Sequence, residues 1–215
     1  MSLNSALATT LQDHLAQLGD IAPDRVRMQP APGTATAEEC IALNELRAEG
    51  LYEWVDGTLV EKAMSYEASV VALTIARIVG IFVANGRLGL LSGPDGFFRL
   101  ASVLRGPDVA FVDRKRLPGG KFPAEACPTL VPDFVVEVLS PGNTKAELAR
   151  KRIEYFAAGT QLVWIVDCAH RSVAVYTSPS DAVVVGQDAV IDGGNVFKGF
   201  SSPVADFFAD LDIGA

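Results

Sequence analysis

The chain has 215 residues, 49% of them hydrophobic, enough for one domain with a real core and too apolar for a disordered protein. Its net charge of −8 is unfavourable for nucleic-acid binding, whose usual footprint is basic. The three cysteines, Cys40, Cys127 and Cys168, form no CxxC pair and are odd in number and widely spaced, which argues against a disulfide framework and fits a reducing cytosol.

The N-terminus, Met1-Ser2-Leu3-Asn4, lacks a basic region followed by an apolar stretch, so no signal peptide is expected and a cytoplasmic location follows. Leu7, Leu11, Leu15 and Leu18 predict a weak amphipathic helix within residues 1–20. Residues 21–36 are rich in Pro and Ala and read as a linker or extended arm. Residues 1–37 are therefore taken as an N-terminal arm and linker, and residues 38–215 as the domain. Thr36-Ala37-Glu38-Glu39 is a capping box that starts a helix through Ile41, Leu43 and Leu46, ending at Gly50.

Residues 51–55 and 58–61 flank Asp56-Gly57, a hairpin signal because a type I′ turn needs positive φ at both central positions. Ser65 to Ala84 predicts a long helix, apolar over most of its surface and packed on more than one side. Its most apolar part, Val70 to Ala84, is short for a membrane span and contains Arg77, so it reads as a buried helix. Residues 88–100 give one or two strands broken at Gly93-Pro94-Asp95-Gly96, Pro107 to Val112 the next, and residues 114–131 a loop. Asp133 to Leu139 reads as a central strand, followed by a second capping box, Thr144-Lys145-Ala146-Glu147, a helix to Gly159, and a strand from Leu162 to Asp167. Strand, helix, strand at this spacing predicts a right-handed crossover with the two strands parallel. Strands at 172–176 and 182–185 and a Phe-rich tail (Phe197, Phe200, Phe207, Phe208) complete the chain.

Glu137 carries the chemistry. It is the one charge in Phe134-Val135-Val136-Glu137-Val138-Leu139, and a buried carboxylate is costly unless it is paired or protonated. Asp108 opens the preceding strand just after Pro107, and Lys151 borders the apolar arc of the following helix, about 60° from Leu148. Two carboxylates converging from adjacent strands suit a hard divalent cation, which polarises a phosphoryl oxygen and acidifies a bound water. The lysine either reaches Glu137 or snorkels to solvent. The structural alternative is a buried ion pair between Glu137 and Lys151 or Arg152. Glu67 is a third carboxylate that could join the site, or a surface Glu favoured by its helix N-terminus. Basic residues gather in 99–121 (Arg99, Arg105, Arg114, Lys115, Arg116, Lys121 against Asp108 and Asp113) and 145–152 (Lys145, Arg150, Lys151, Arg152 against Glu147). They read either as a cationic surround of the site or as solvated loop and helix charges.

These stretches, together with Tyr52-Glu53-Trp54-Val55-Asp56-Gly57, Gly106 to Val112, Pro132 to Pro141, Lys151 to Gly159 and Val163-Trp164-Ile165-Val166-Asp167, resemble the Uma2-type restriction-endonuclease family within the PD-(D/E)XK nuclease superfamily. The match runs in the family's order from residue 38 to about 177. The resemblance implies an α/β (α+β) fold with an αβββαβ core, its central mixed sheet flanked by helices. It implies a DNA endonuclease using Mg2+ or Mn2+, with Asp108 and Glu137 as metal carboxylates and Lys151 in the role of the superfamily lysine. That lysine usually stands two residues after the Glu, a position held here by Leu139. Relatives often carry a histidine where this chain has Ala68. DNA is the implied partner, no membrane is expected, and a homodimer would supply two sites for two strands. The alternative is a catalytically degenerate nuclease fold that binds nucleic acid or a protein without cutting.

Overall fold

The structure, a computed structural model, describes residues 10–46 and 50–213. The capping signals resolve as helices. Thr10 and Asp13 close a capping box on α1 (Leu11–Gln17); the predicted Leu7 lies outside the described residues. Thr36 and Glu39 bond reciprocally at the start of α2 (Ala37–Leu46). Asp56 and Gly57 take φ of 47° and 74°, turning β1 (Tyr52–Val55) into β2 (Thr58–Glu61). Ser65 caps α3 (Tyr66–Gly86). Its stripe Val71, Ile75, Val79, Val83 is buried against the sheet, while Leu73 and Ile81 stand exposed. By length and composition alone α3 would also pass for a membrane span.

Two sheets follow. The larger contains β3 (Gly89–Ser92), β6 (Val109–Asp113), β7 (Phe134–Val138), β8 (Leu162–Asp167), β9 (Ser172–Tyr176) and β10 (Ala182–Gly186), in the order β10-β9-β8-β7-β6-β3. The smaller has the order β2-β1-β5-β4, adding β4 (Phe98–Leu100) and β5 (Val103–Arg105). β5 had no counterpart in the sequence reading, and the stretch 88–100 divides between the sheets. β7 and β8 are parallel and joined by α4 (Lys145–Ala158), as the crossover predicted; the other pairs in the large sheet are antiparallel. Hence α3-β3-β6-β7-α4-β8 forms the αβββαβ core inside a mixed α+β fold. A further hairpin, β11 (Val190–Gly193) and β12 (Phe197–Pro203), was also missed. Its Phe197 and Phe200 join Phe207 over Phe134 and Trp164, on the sheet face that α3 covers.

The opposite face holds Val135, Val163 and Tyr155 of α4, and the segment before α2 packs there too. Leu18, Ile21 and Val26 are buried, and the Thr144 hydroxyl donates to the Gly19 carbonyl. A Cβ on Gly57 would come within 2.6 Å of the Gly33 carbonyl, so the arm lies directly on the hairpin. Arg25 forks onto Glu147 at 2.8 and 2.9 Å.

Burial pushes the Glu147 carboxyl up, but the hydrogen bond from Arg25 and the nearby Lys151 charge outweigh it and hold the group below the usual carboxylate range. A depressed carboxyl contributes stability that is present above its unfolded pKa of about 4.3 and lost as pH falls through the folded value. Arg25→Ala should therefore cost about 1–3 kcal/mol at neutral pH, and the difference from wild type should shrink below about pH 4. Urea denaturation across a pH series measures both.

Candidate active site

The site lies at the end of the large sheet where β6 begins and β7 ends, roofed by the small sheet and α4. Asp108 stands just before β6. Its backbone N–H bonds the Val136 carbonyl at 3.0 Å, and its Oδ2 accepts the Val138 N–H at 2.8 Å. Both carboxylates are thereby fixed relative to β7. Glu137 is 4% exposed; its Oε1 accepts the Tyr155 hydroxyl at 2.6 Å, and its Oε2 lies 3.4 Å from Lys151 Nζ. Lys151 turns inward from α4 rather than snorkelling, and only 2% of its surface is exposed.

Two further residues complete the centre. Glu53 of β1, fully buried, lies 3.0 Å from Lys151 Nζ through Oε1, which also accepts the Gly106 N–H, and 2.7 Å from Arg105 through Oε2. Lys62, just past β2 and also buried, lies 2.9 Å from Asp108 Oδ1 and donates to the Pro94 carbonyl at 3.1 Å. Sequence reasoning missed both. Glu53 carried the same signal as Glu137, a carboxylate within an apolar strand (Tyr52-Glu53-Trp54-Val55), whereas Lys62 follows its strand with no periodic mark.

Arg105 links Glu53 to Glu154, so three acids (Glu53, Asp108, Glu137) face three cations (Lys62, Arg105, Lys151) in a compact, largely buried network. Lys151 is shared, but Arg105 belongs to Glu53. Burial raises the Glu53 carboxyl, yet Lys151 and Arg105 together bring it down to about 2. Burial also raises Glu137, and there the lowering by Lys151 is opposed by Asp108 and Glu53, leaving it at about 7. Burial lowers the Lys151 ammonium, but Glu137 and Glu53 outweigh this and hold its pKa above the ordinary lysine range. Lys151 thus favours its charged form and donates to Glu137. Burial pushes the Cys40, Cys127 and Cys168 thiols up to about 12, 11 and 11, which leaves no ready thiolate nucleophile among them.

Glu67 lies on the exposed first turn of α3 and does not join Asp108 and Glu137; among the described residues, no three His, Cys, Asp or Glu side chains form a metal-holding group. Ala68 beside it is buried against the sheet. The basic stretches do not form a cationic surround either: Arg99 pairs with Glu38, Arg116 with Asp133, Arg150 with Asp56 and Glu154. The donor set nevertheless fits a hard cation. Asp108 and Glu137 each have one oxygen anchored by a hydrogen bond and the other turned toward a lysine ammonium. Mg2+ commonly takes only one or two carboxylates, completing its shell with water and phosphate oxygens.

With this geometry in hand, residues 37–205 match the Uma2 family, described as "Putative restriction endonuclease". The chain belongs to the Uma2 family. No curated protein matches it. A crystal structure titled as a putative nuclease belonging to DUF820 from Anabaena variabilis is similar in fold, with a TM-score of 0.69 and 20% identity over 76% of this chain and 93% of that one. At this identity the likeness is one of fold.

Glu53→Ala, which takes one of two acid partners from buried Arg105 and from buried Lys151, should cost about 3–5 kcal/mol, whereas Glu67→Ala should stay within about 0.5 kcal/mol; chemical denaturation compares them. A carboxyl raised above its unfolded pKa favours the fold while protonated, and that contribution is lost as pH rises from about 4.3 toward 7. In chelated buffer Glu137→Gln should therefore gain stability relative to wild type between pH 5 and pH 8, and a constant difference would refute the raised carboxyl.

Proposed function

We propose that this Uma2 protein is an endonuclease that hydrolyses DNA phosphodiester bonds. The observation that carries the reading is the buried lysine at the carboxylate pair: Lys151 lies 3.4 Å from Glu137, whose strand neighbour Asp108 turns its Lys62-paired oxygen to the same end of the sheet. Asp108 and Glu137 would hold Mg2+ or Mn2+, which when bound supplies a Lewis acid for the phosphoryl oxygen and a more acidic water. Lys151, permanently charged, would orient that water or offset charge on the phosphorane. Tyr155 fixes Glu137 through its hydroxyl, and Glu53 fixes Lys151. Asp108 already has a counter-cation in Lys62, so metal entry requires that ammonium to move aside. Cutting both strands of a duplex would call for two copies of the chain. The buried, unpaired thiols suit a reducing compartment such as the cytoplasm.

The second reading, a nuclease fold that binds without cutting, draws on two observations. The acids of the centre are already balanced by Lys62, Arg105 and Lys151, and Ala68 supplies no proton-transfer group. Metal titration and cleavage separate the two. The nuclease reading expects Mn2+ to bind wild type by calorimetry and to support nicking of supercoiled DNA. Asp108→Ala and Glu137→Ala should then lower the rate by on the order of 10³ or more, and Lys151→Met by about 10². Cleavage that survives both carboxylate substitutions ends this assignment of the site. Wild type that neither binds Mn2+ nor cuts leaves the binding reading.

A further inference from the structure

Many of the described cations are paired with acids, but Arg87, Arg114, Lys115, Lys121, Lys145 and Lys198 have no side-chain partner among the described residues. Four of them, Arg87, Arg114, Lys115 and Lys198, gather at the far end of the large sheet, where β3 starts and β6 stops. Arg87 is the left-handed C-cap of α3, with φ 49°, two residues before β3. Arg114 directly follows β6, and its backbone N–H bonds the Leu88 carbonyl at 2.9 Å, which fixes the two arginines on adjoining chain segments. Arg87, Arg114 and Lys115 line an open hollow of about 570 Å³. Lys115 also lines an adjoining hollow of about 500 Å³ with Lys198, Asn85 and Asn195. Asp113 is the acid there, and its Oδ1 is occupied by the Lys115 N–H at 2.8 Å.

We propose that this basic edge binds the phosphodiester backbone of nucleic acid, at a place separate from the catalytic centre. A single small anion would be held by donors converging on one point. These cations are instead spread over two joined, open hollows with amide side chains among them, which suits a succession of phosphates. Unpaired, exposed cations can release the counterions of a polyanion without first breaking an internal ion pair. The concentration of unpaired cations here, in a chain of net charge −8, gives the surface a local sign opposite to that of the whole. β6 links the two places: Asp108 precedes the strand and Arg114 follows it, about 20 Å away at the rise of an extended strand. A duplex spanning both would be held about six nucleotides from the phosphate at the centre. That placement rests on the nuclease reading above, whereas the binding itself does not.

The test uses the full chain in chelating buffer, where no cleavage occurs, with a short fluorescein-labelled DNA duplex and anisotropy over a salt series. The triple variant Arg87→Ser, Arg114→Ser, Lys115→Ser should bind at least tenfold more weakly, and the slope of log K against log salt should fall by about 2–3, near 0.9 per lost phosphate contact. Lys145→Ser, which removes an unpaired cation outside the edge, should change affinity less than twofold. All substituted side chains are exposed, so unchanged thermal unfolding certifies the fold. An unaltered affinity and slope in the triple variant overturns the proposal, as does wild type that binds no duplex. So does a loss in Lys145→Ser equal to that of the triple variant. Groove-dependent binding by a wild type that never cuts with Mn2+ sinks the nuclease reading alone. Cutting by wild type, with binding indifferent to the triple substitution, sinks the basic edge alone.

Discussion

The Lys151 ammonium, held between Glu53 and Glu137 with almost no contact with water, is the constraint around which the rest is arranged. Placing a charge there costs several kcal/mol unless every partner is in position. Its partners come from different sheets: Glu137 from β7 of the large one, Glu53 from β1 of the small one. Arg105 of β5 then bridges Glu53 and Glu154 of α4. The small sheet is thus bound to α4 by charges as well as by apolar packing, and moving it would leave ions unpaired on both sides. The same shared lysine explains why two buried glutamates behave oppositely. Glu53 has Arg105 as a second close cation, whereas the lowering of Glu137 by Lys151 is opposed by two acids beside it.

Much of the fold was legible because its signals are local. Capping boxes at Thr36 and Thr144, Asp56-Gly57 in the hairpin and the strand-helix-strand spacing around α4 each rest on residues within a few positions of one another. The elements that escaped depend on distant partners. β5 is three residues long and becomes a strand by lying between β1 and β4. Residues 21–36 looked like a linker because they are rich in Pro and Ala with little periodicity, yet Ile21 and Val26 are buried by the faces they reach. β11 and β12 were hidden by Gly193-Gly194 and by a Phe spacing that belongs to a hairpin packed on the core.

The site divides along the same line. Asp108, Glu137 and Lys151 could be named because each stands at a marked position of a strand or helix, and the resemblance to the family supplied their grouping. Glu53 was equally marked, but the partner that explains it is 98 residues away in Lys151. Lys62 carries no mark, since only the approach of the small sheet to β6 gives it Asp108. The sums of charge along 99–121 and 145–152 misled for a related reason. A sum over sequence counts Arg105 and Lys151 as surface charge, although both are buried and neutralised.

This neutralisation has a consequence for how a polyanion could reach the protein. A centre with Lys62, Arg105 and Lys151 matched by Glu53, Asp108 and Glu137 projects little field into solvent. Screening at physiological ionic strength further limits any residual attraction to about 8 Å. The unpaired cations at the other end of β6 lie about 20 Å away, beyond that range. On the proposed reading, attraction and chemistry would therefore be electrostatically separate: cations could change at the basic edge without shifting Glu137, and the buried network could tighten around its lysine without weakening the surface that a phosphate backbone would meet first. A chain can in this way be acidic overall, neutral at its carboxylates and still present a cationic face, because what a partner senses is the local unpaired charge and not the total.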